Sequence, residues 1–128
     1  MTAAQKLAGL RVLVLEDEAL VSMMLEAMLE EMGCTIVGPF LHLEKAVDFI
    51  AANPGAADAA LLDVNVAGKR STPAADLLAA QNIPFAFCTG YDAAGIEEAH
   101  RAAPRLSKPF MQKDIEAALL KLAPARAG

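Results

Sequence analysis

Four segments of this chain end in groups that can handle phosphate and metal. The apolar run Ala59-Ala60-Leu61-Leu62 stops at Asp63, and Arg11-Val12-Leu13-Val14-Leu15 runs into Glu16-Asp17. Phe85-Ala86-Phe87-Cys88 runs into Thr89-Gly90, and Arg105-Leu106-Ser107 ends at Lys108-Pro109. A carboxylate closing an apolar strand has no packing reason to be there, because a buried charge is costly unless it is paired. In an open α/β sheet the carboxyl ends of the strands form the crevice where ligands bind. Acid, acid, hydroxyl and ammonium on one such edge make a phosphate-and-metal site. Clustered carboxylates raise one another's pKa values, a conflict that a divalent cation removes. Magnesium suits the set, since it takes oxygen ligands, retains waters and bridges carboxylate to phosphate. A calcium site would want a dense Asp/Asn/Glu loop, which the sequence lacks.

The elements that must position these groups alternate. The first strand is about Arg11–Glu16, followed by a helix over about Glu18–Met32. Val21, Met24, Leu25, Met28, Leu29 and Met32 recur at helical spacing on its core face, and Gly33 closes it. Cys34–Gly38 reads as a second strand stopped by Pro39, and Leu43–Ala52 as a helix ended by Asn53-Pro54-Gly55. The third strand, about Ala57–Val64, leads through a polar loop (Asn65 to Ser71) to a helix with Thr72 as N-cap and Pro73 in its first turn. That helix ends near Asn82. A strand over Ile83–Cys88 follows, then a helix capped by Asp92 and running to about Ala102. Arg105–Ser107 is the fifth strand and Met111–Leu122 the last helix. Five alternating βα units imply a doubly wound five-stranded parallel sheet, flavodoxin-like, in the order 2-1-3-4-5. That order centres strands 1, 3 and 4, which carry the acids and Thr89.

Composition narrows the class further. With 128 residues, 55% hydrophobic and only 5% aromatic, the chain fits one aliphatic α/β domain. A net charge of −5 without a basic stripe argues against nucleic acid as a partner. Cys34 and Cys88 are expected to be buried, reduced thiols. No signal-peptide or membrane-spanning stretch is evident, so the expectation is a cytoplasmic protein with no membrane partner.

Taken together, Glu16-Asp17, Asp63, Thr89-Gly90 and Lys108-Pro109-Phe110 resemble the receiver domain of bacterial two-component response regulators, over Arg11 to Leu122. The resemblance implies a stand-alone receiver spanning 1–128, with its core at about 10–123 and no output domain. It implies that Asp63 accepts a phosphoryl group from a phosphohistidine, and that Mg2+ is held by Asp17, Asp63, Glu16 and the backbone carbonyl of Asn65. Thr89 and Lys108 would bind phosphoryl oxygens, and the Lys108–Pro109 bond would be cis. Such a protein is no enzyme beyond its own phosphorylation and slow autodephosphorylation. Pro84-Phe85-Ala86-Phe87-Cys88-Thr89-Gly90-Tyr91 is similar to the strand-4 motif of the FATGUY receiver subgroup, whose partners include HWE-type histidine kinases.

Tyr91 and Asn65 fall at positions that tune dephosphorylation in receivers. Arg105 stands where most receivers carry an aromatic switch residue, which puts the usual Thr–aromatic coupling in doubt. Leu20, Met23 and Ala27 line up opposite the core face of the first helix, and there they form a candidate stripe for a histidine kinase or phosphotransfer helix. Met24, Met28 and Met32 are expected in the core, and His42 and His100 on the surface. Oligomeric state and output partner have no sequence signal. An aspartyl phosphatase would want a second Asp where Asn65 stands, and a receiver blind to phosphate would not need the intact acids, Thr89 and Lys108.

Overall fold

β1 (Arg11–Leu15), β3 (Ala59–Asp63) and β6 (Phe85–Thr89) are near-continuous apolar runs because parallel strands in a sheet covered on both faces meet protein on each side. The structure, a computed structural model, describes residues 2–90, 96 and 98–123. With β2 (Thr35–Phe40) and β7 (Arg105–Ser107) these strands form one five-stranded parallel sheet in the order β2-β1-β3-β6-β7. This is the expected flavodoxin-like α/β fold, with β6 and β7 as the fourth and fifth strands of the sheet.

Side chains alternate across the sheet with a period of two. Val12, Val14, Ala59, Leu61, Ala86 and Cys88 share one core with Leu25 and Leu29 of α2 (Ala19–Glu31) and with Ile115 and Leu119 of α5 (Gln112–Leu122). Leu13, Leu15, Ala60, Leu62, Phe85 and Phe87 face the other core, filled by α3 (Leu43–Ala52) and α4 (Thr72–Ala80). Both cysteines are buried thiols, as expected. Gly33 ends α2 at φ +85, a left-handed conformation that glycine adopts without strain. Among the described residues, no helix is long and apolar enough to cross a membrane.

Several elements depart from expectation. A short helix, α1 (Ala3–Leu7), precedes β1; Thr2 and Gln5 form a reciprocal capping box, and Leu7 drops into the first core. Pro39 does not stop the second strand. β2 is an edge strand, where a missing N–H is tolerated, and it runs on to Phe40 after a register shift against β1. Gly38 is required there, since a Cβ would lie 2.8 Å from the Phe40 ring. Ser71, not Thr72, stands at the N-cap position of α4, so Thr72 and Pro73 open its first turn.

The polar loop after Asp63 contains a small antiparallel hairpin, β4 (Asn65–Val66) and β5 (Lys69–Arg70). The start of the segment expected to form a helix from Asp92 to about Ala102 lies outside the described residues; near its end they hold a 3-10 turn at Glu98–His100. His100 is not a free surface residue. Its side chain is only 9% exposed, its Nε2 lies 2.7 Å from Asp76 Oδ1, and its ring meets Phe85 edge-on at 5.4 Å.

Candidate functional site

Each acidic group reaches the sheet's carboxyl edge because its strand ends there. β1 stops at Leu15, and the Glu16 N–H then donates to the Phe40 carbonyl at 3.0 Å, which ties the turn to β2. Glu16 is 1% exposed. Its Oε2 accepts the Glu18 N–H at 3.0 Å, at the start of α2, and its Oε1 meets Lys108 Nζ at 2.6 Å. A carboxylate at a helix N-terminus is also favoured by the helix dipole. β3 delivers Asp63, 6% exposed, whose Oδ1 lies 2.8 Å from the same ammonium. Lys108 is held by its own N–H, which donates to the Thr89 carbonyl at 2.8 Å, and the Lys108–Pro109 peptide is cis. Thr89 therefore stands beside Lys108, paired in register with Ser107.

Burial is the largest influence on Asp63. With Asp17 and Glu16 close by, it raises the carboxyl from 3.8 to about 8, against the opposing pull of Lys108. Burial also pushes Asp17 upward, but the Ala67 N–H donating to its Oδ2 at 2.9 Å and the contact with Asp63 outweigh that, and Asp17 stays below its ordinary value. The two carboxyls are thus pushed in opposite directions, Asp63 up and Asp17 down. The Lys108 ammonium loses solvation, yet its bonds to Asp63 and Glu16 raise it above the usual lysine range. Cys88, buried beneath the cluster, is raised to about 12 and is inert as a nucleophile.

The donor chemistry fits a hard divalent cation. Among the described residues, Glu16, Asp17 and Glu18 place carboxylate oxygens within 4.8 Å of one another, with no sulfur or imidazole in the group. The Lys108 ammonium, which among the described residues pairs with Glu16, Glu18 and Asp63, cannot by itself balance these acids. A cation would supply the missing positive charge.

Glu16, Asp17, Asp63, Lys108 and Thr89 therefore converge as expected. Asn65 starts β4 two residues beyond Asp63, with its side chain exposed. Arg105 does not join the cluster; it is exposed, and its Nη2 donates to the Arg101 carbonyl at 3.1 Å. Tyr91 lies outside the described residues. Leu20 and Met23 are 71% and 64% exposed on α2, and Ala27 is exposed beside them. Met24 belongs with this surface rather than the core. It is 46% exposed and lines an open cavity of about 450 Å³ with Val21, Lys108, Pro109 and Phe110. The residue pattern alone passed over two neighbours of the cluster. Glu18, whose Oε1 lies 3.8 Å from Lys108 Nζ, was signalled by the acidic run Glu16-Asp17-Glu18, whereas the Ala67 amide had no signal beyond the Ala67-Gly68 turn.

Comparison with known proteins agrees with this geometry. No protein-family model and no curated protein matched the sequence. Among solved structures, SdrG from Sphingomonas melonis Fr1 is 39% identical over 95% of this chain and 98% of its own, with a TM-score of 0.78. SdrG in its BeF3-activated conformation is 40% identical over 91% and 98%, with a TM-score of 0.74. The PhyR response regulator receiver domain from Erythrobacter litoralis is 26% identical over 90% of each chain, with a TM-score of 0.75. By its sheet order, its strand-end cluster and these relatives, the chain belongs to the response regulator receiver family.

Proposed function

We propose that this protein is a stand-alone response regulator of a phosphorelay in which Asp63 takes a phosphoryl group from a phosphohistidine. The observation that carries the reading is Asp63 itself, nearly buried at the end of the central strand, with Lys108 Nζ at 2.8 Å and Asp17 beside it. In the transfer an Asp63 oxygen bonds to phosphorus as the donor's N–P bond breaks, and the imidazole leaves with the electron pair. Phosphoryl transfer asks the protein mainly for position and positive charge. Lys108 supplies charge from one side, and the Thr89 hydroxyl is assigned to a phosphoryl oxygen.

Asp17, Asp63 and the Asn65 carbonyl would hold Mg2+, with Glu16 and Glu18 at its margin. The ion would neutralise charge on the phosphoryl oxygens. In a two-residue hairpin the closing pair, here Val66 and Lys69, carries the ladder bonds and the next pair does not. That leaves the Asn65 carbonyl outside the ladder, which supports its role as a ligand. The protein turns over no other substrate in this reading. Leu20, Met23 and Ala27, now joined by Met24 and the cavity beside Lys108, form the surface assigned to the histidine-bearing helix of a kinase or phosphotransfer protein. The Phe85-to-Tyr91 segment is read as a FATGUY motif and the kinase as HWE-type. The compartment is read as cytoplasmic. That SdrG adopts a BeF3-activated conformation supports phosphorylation as the signal.

Incubation with Mg2+ and acetyl phosphate, followed by intact-protein mass measurement, tests this. A single phosphoryl adduct that is absent in Asp63→Asn is expected. An adduct that persists in the variant overturns the assignment, and steady release of inorganic phosphate from many esters would point to a phosphatase instead.

A further inference from the structure

The β4–β5 hairpin contains a strained residue at a place of chemical consequence. Ala67 has φ +51 and Gly68 φ +84, so both central residues of the two-residue turn are left-handed, as a type I′ hairpin requires. Gly68 takes that conformation freely, whereas Ala67 adopts it against a steric penalty of roughly 1 kcal/mol. The amide of the first turn residue takes no part in the hairpin ladder and faces outward. Here it donates to Asp17 Oδ2 at 2.9 Å, across 50 residues of sequence. The hairpin is anchored on both sides of this contact. Val66 is buried in the second core, Ser71 is buried behind it with its N–H on the Val64 carbonyl at 3.0 Å, and Lys69 pairs with Glu44 at the start of α3.

We propose that the β4–β5 hairpin is a clasp in which the Ala67 amide orients Asp17 for the divalent cation. A carboxylate offers about four lone-pair sites. The amide takes one of them, which fixes the plane of the carboxylate and leaves the others to the ion. The contact also bridges the ends of β1 and β3, so the two carboxylates that share the ion, Asp17 and Asp63, are held at a set spacing by backbone. Ala67 is thus a positioning residue, acting through Asp17. The inference rests on the Mg2+-dependent reading of the site given above.

Two measurements test it. In the wild-type protein without Mg2+, amide hydrogen exchange at Ala67 should be at least about tenfold slower than for an unprotected loop amide. Exchange at the unprotected rate overturns the clasp. Mg2+ affinity, followed by amide chemical shifts on titration, should fall about tenfold when the Val66–Ala67 amide is replaced by an ester, which removes the donor and leaves the side chains and the turn in place. In Ala67→Gly, which keeps the N–H and relieves the strain, it should stay within about twofold of wild type. Equal losses in the ester variant and in Ala67→Gly, or none in the ester variant, overturn it. A wild-type protein that binds no Mg2+ would instead sink the reading of the site, while the exchange result still judges the hydrogen bond.

Discussion

β1 carries ionic groups at both of its ends, and they differ in kind. At its start, Arg11 and Asp58 match one base to one acid. Nη2 lies 2.9 Å from Oδ1, Nε donates to Oδ2 at 3.2 Å, and the Arg11 N–H donates to Oδ2 at 2.8 Å. The pair is open to solvent, with the Arg11 side chain 46% exposed. At the other end a single ammonium, that of Lys108, faces Glu16, Asp63 and Glu18, with Asp17 close by and two of these acids nearly buried. The first arrangement is complete as it stands and ties β1 to the turn before β3. Among the described residues, the second is short of positive charge. Balanced, exposed polarity holds the fold, while unbalanced, buried polarity marks the place where something else must bind.

Removing a member of each cluster should separate them most sharply. Lys108→Met leaves the buried Glu16 carboxylate without its ammonium partner and should cost about 3–5 kcal/mol at neutral pH, read from urea unfolding. A cost below 1 kcal/mol would erase the contrast. The next effect is in pH. Asp63 titrates at about 8 in the native protein and near 3.8 when exposed, so between those values the folded chain holds a proton that the unfolded chain has lost. Stability from this group is therefore complete below pH 4 and is lost as pH rises toward 8.

Without Mg2+ the slope of this loss should be at most about 1.4 kcal/mol per pH unit across that window. Asp63→Asn should flatten it, and excess Mg2+ should raise the melting temperature most at the alkaline end. A stability profile identical in wild type and Asp63→Asn would contradict the burial argument. The smallest effect belongs to the balanced end. Arg11→Ala should cost less than about 1 kcal/mol and leave Mg2+ binding unchanged. A larger loss would mean that the pair organises β1 well beyond its own contacts.

Legibility in the sequence follows the same division. Groups whose position is set by strand ends were readable. Apolar runs of four residues followed by Asp63 or Thr89 identify central parallel strands, and the right-handed βα order then brings their ends together. What escaped depends on local geometry without a periodic signature. α1 is only five residues long and is stabilised by the Thr2–Gln5 box rather than by a long apolar face. The hairpin that clasps Asp17 turns on Ala67, a residue type rarely associated with left-handed turns. His100 looked like a solvent residue because its partners, Asp76 and Phe85, are distant in sequence. Met24 matched the helical period of the core but faces the open cavity beside Lys108. Periodicity reports which face of a helix is apolar, not whether a neighbour covers that face along its whole length.

The account stands or falls on the residue that ends β3. After incubation with acetyl phosphate and Mg2+, borohydride reduction converts an aspartyl phosphate to homoserine, and peptide mapping then locates it. Homoserine at Asp63 alone, and none when Mg2+ is chelated, is the expected result. Conversion at any other carboxylate, or at Asp63 regardless of Mg2+, would contradict the reading of this cluster as a cation-dependent phosphoacceptor.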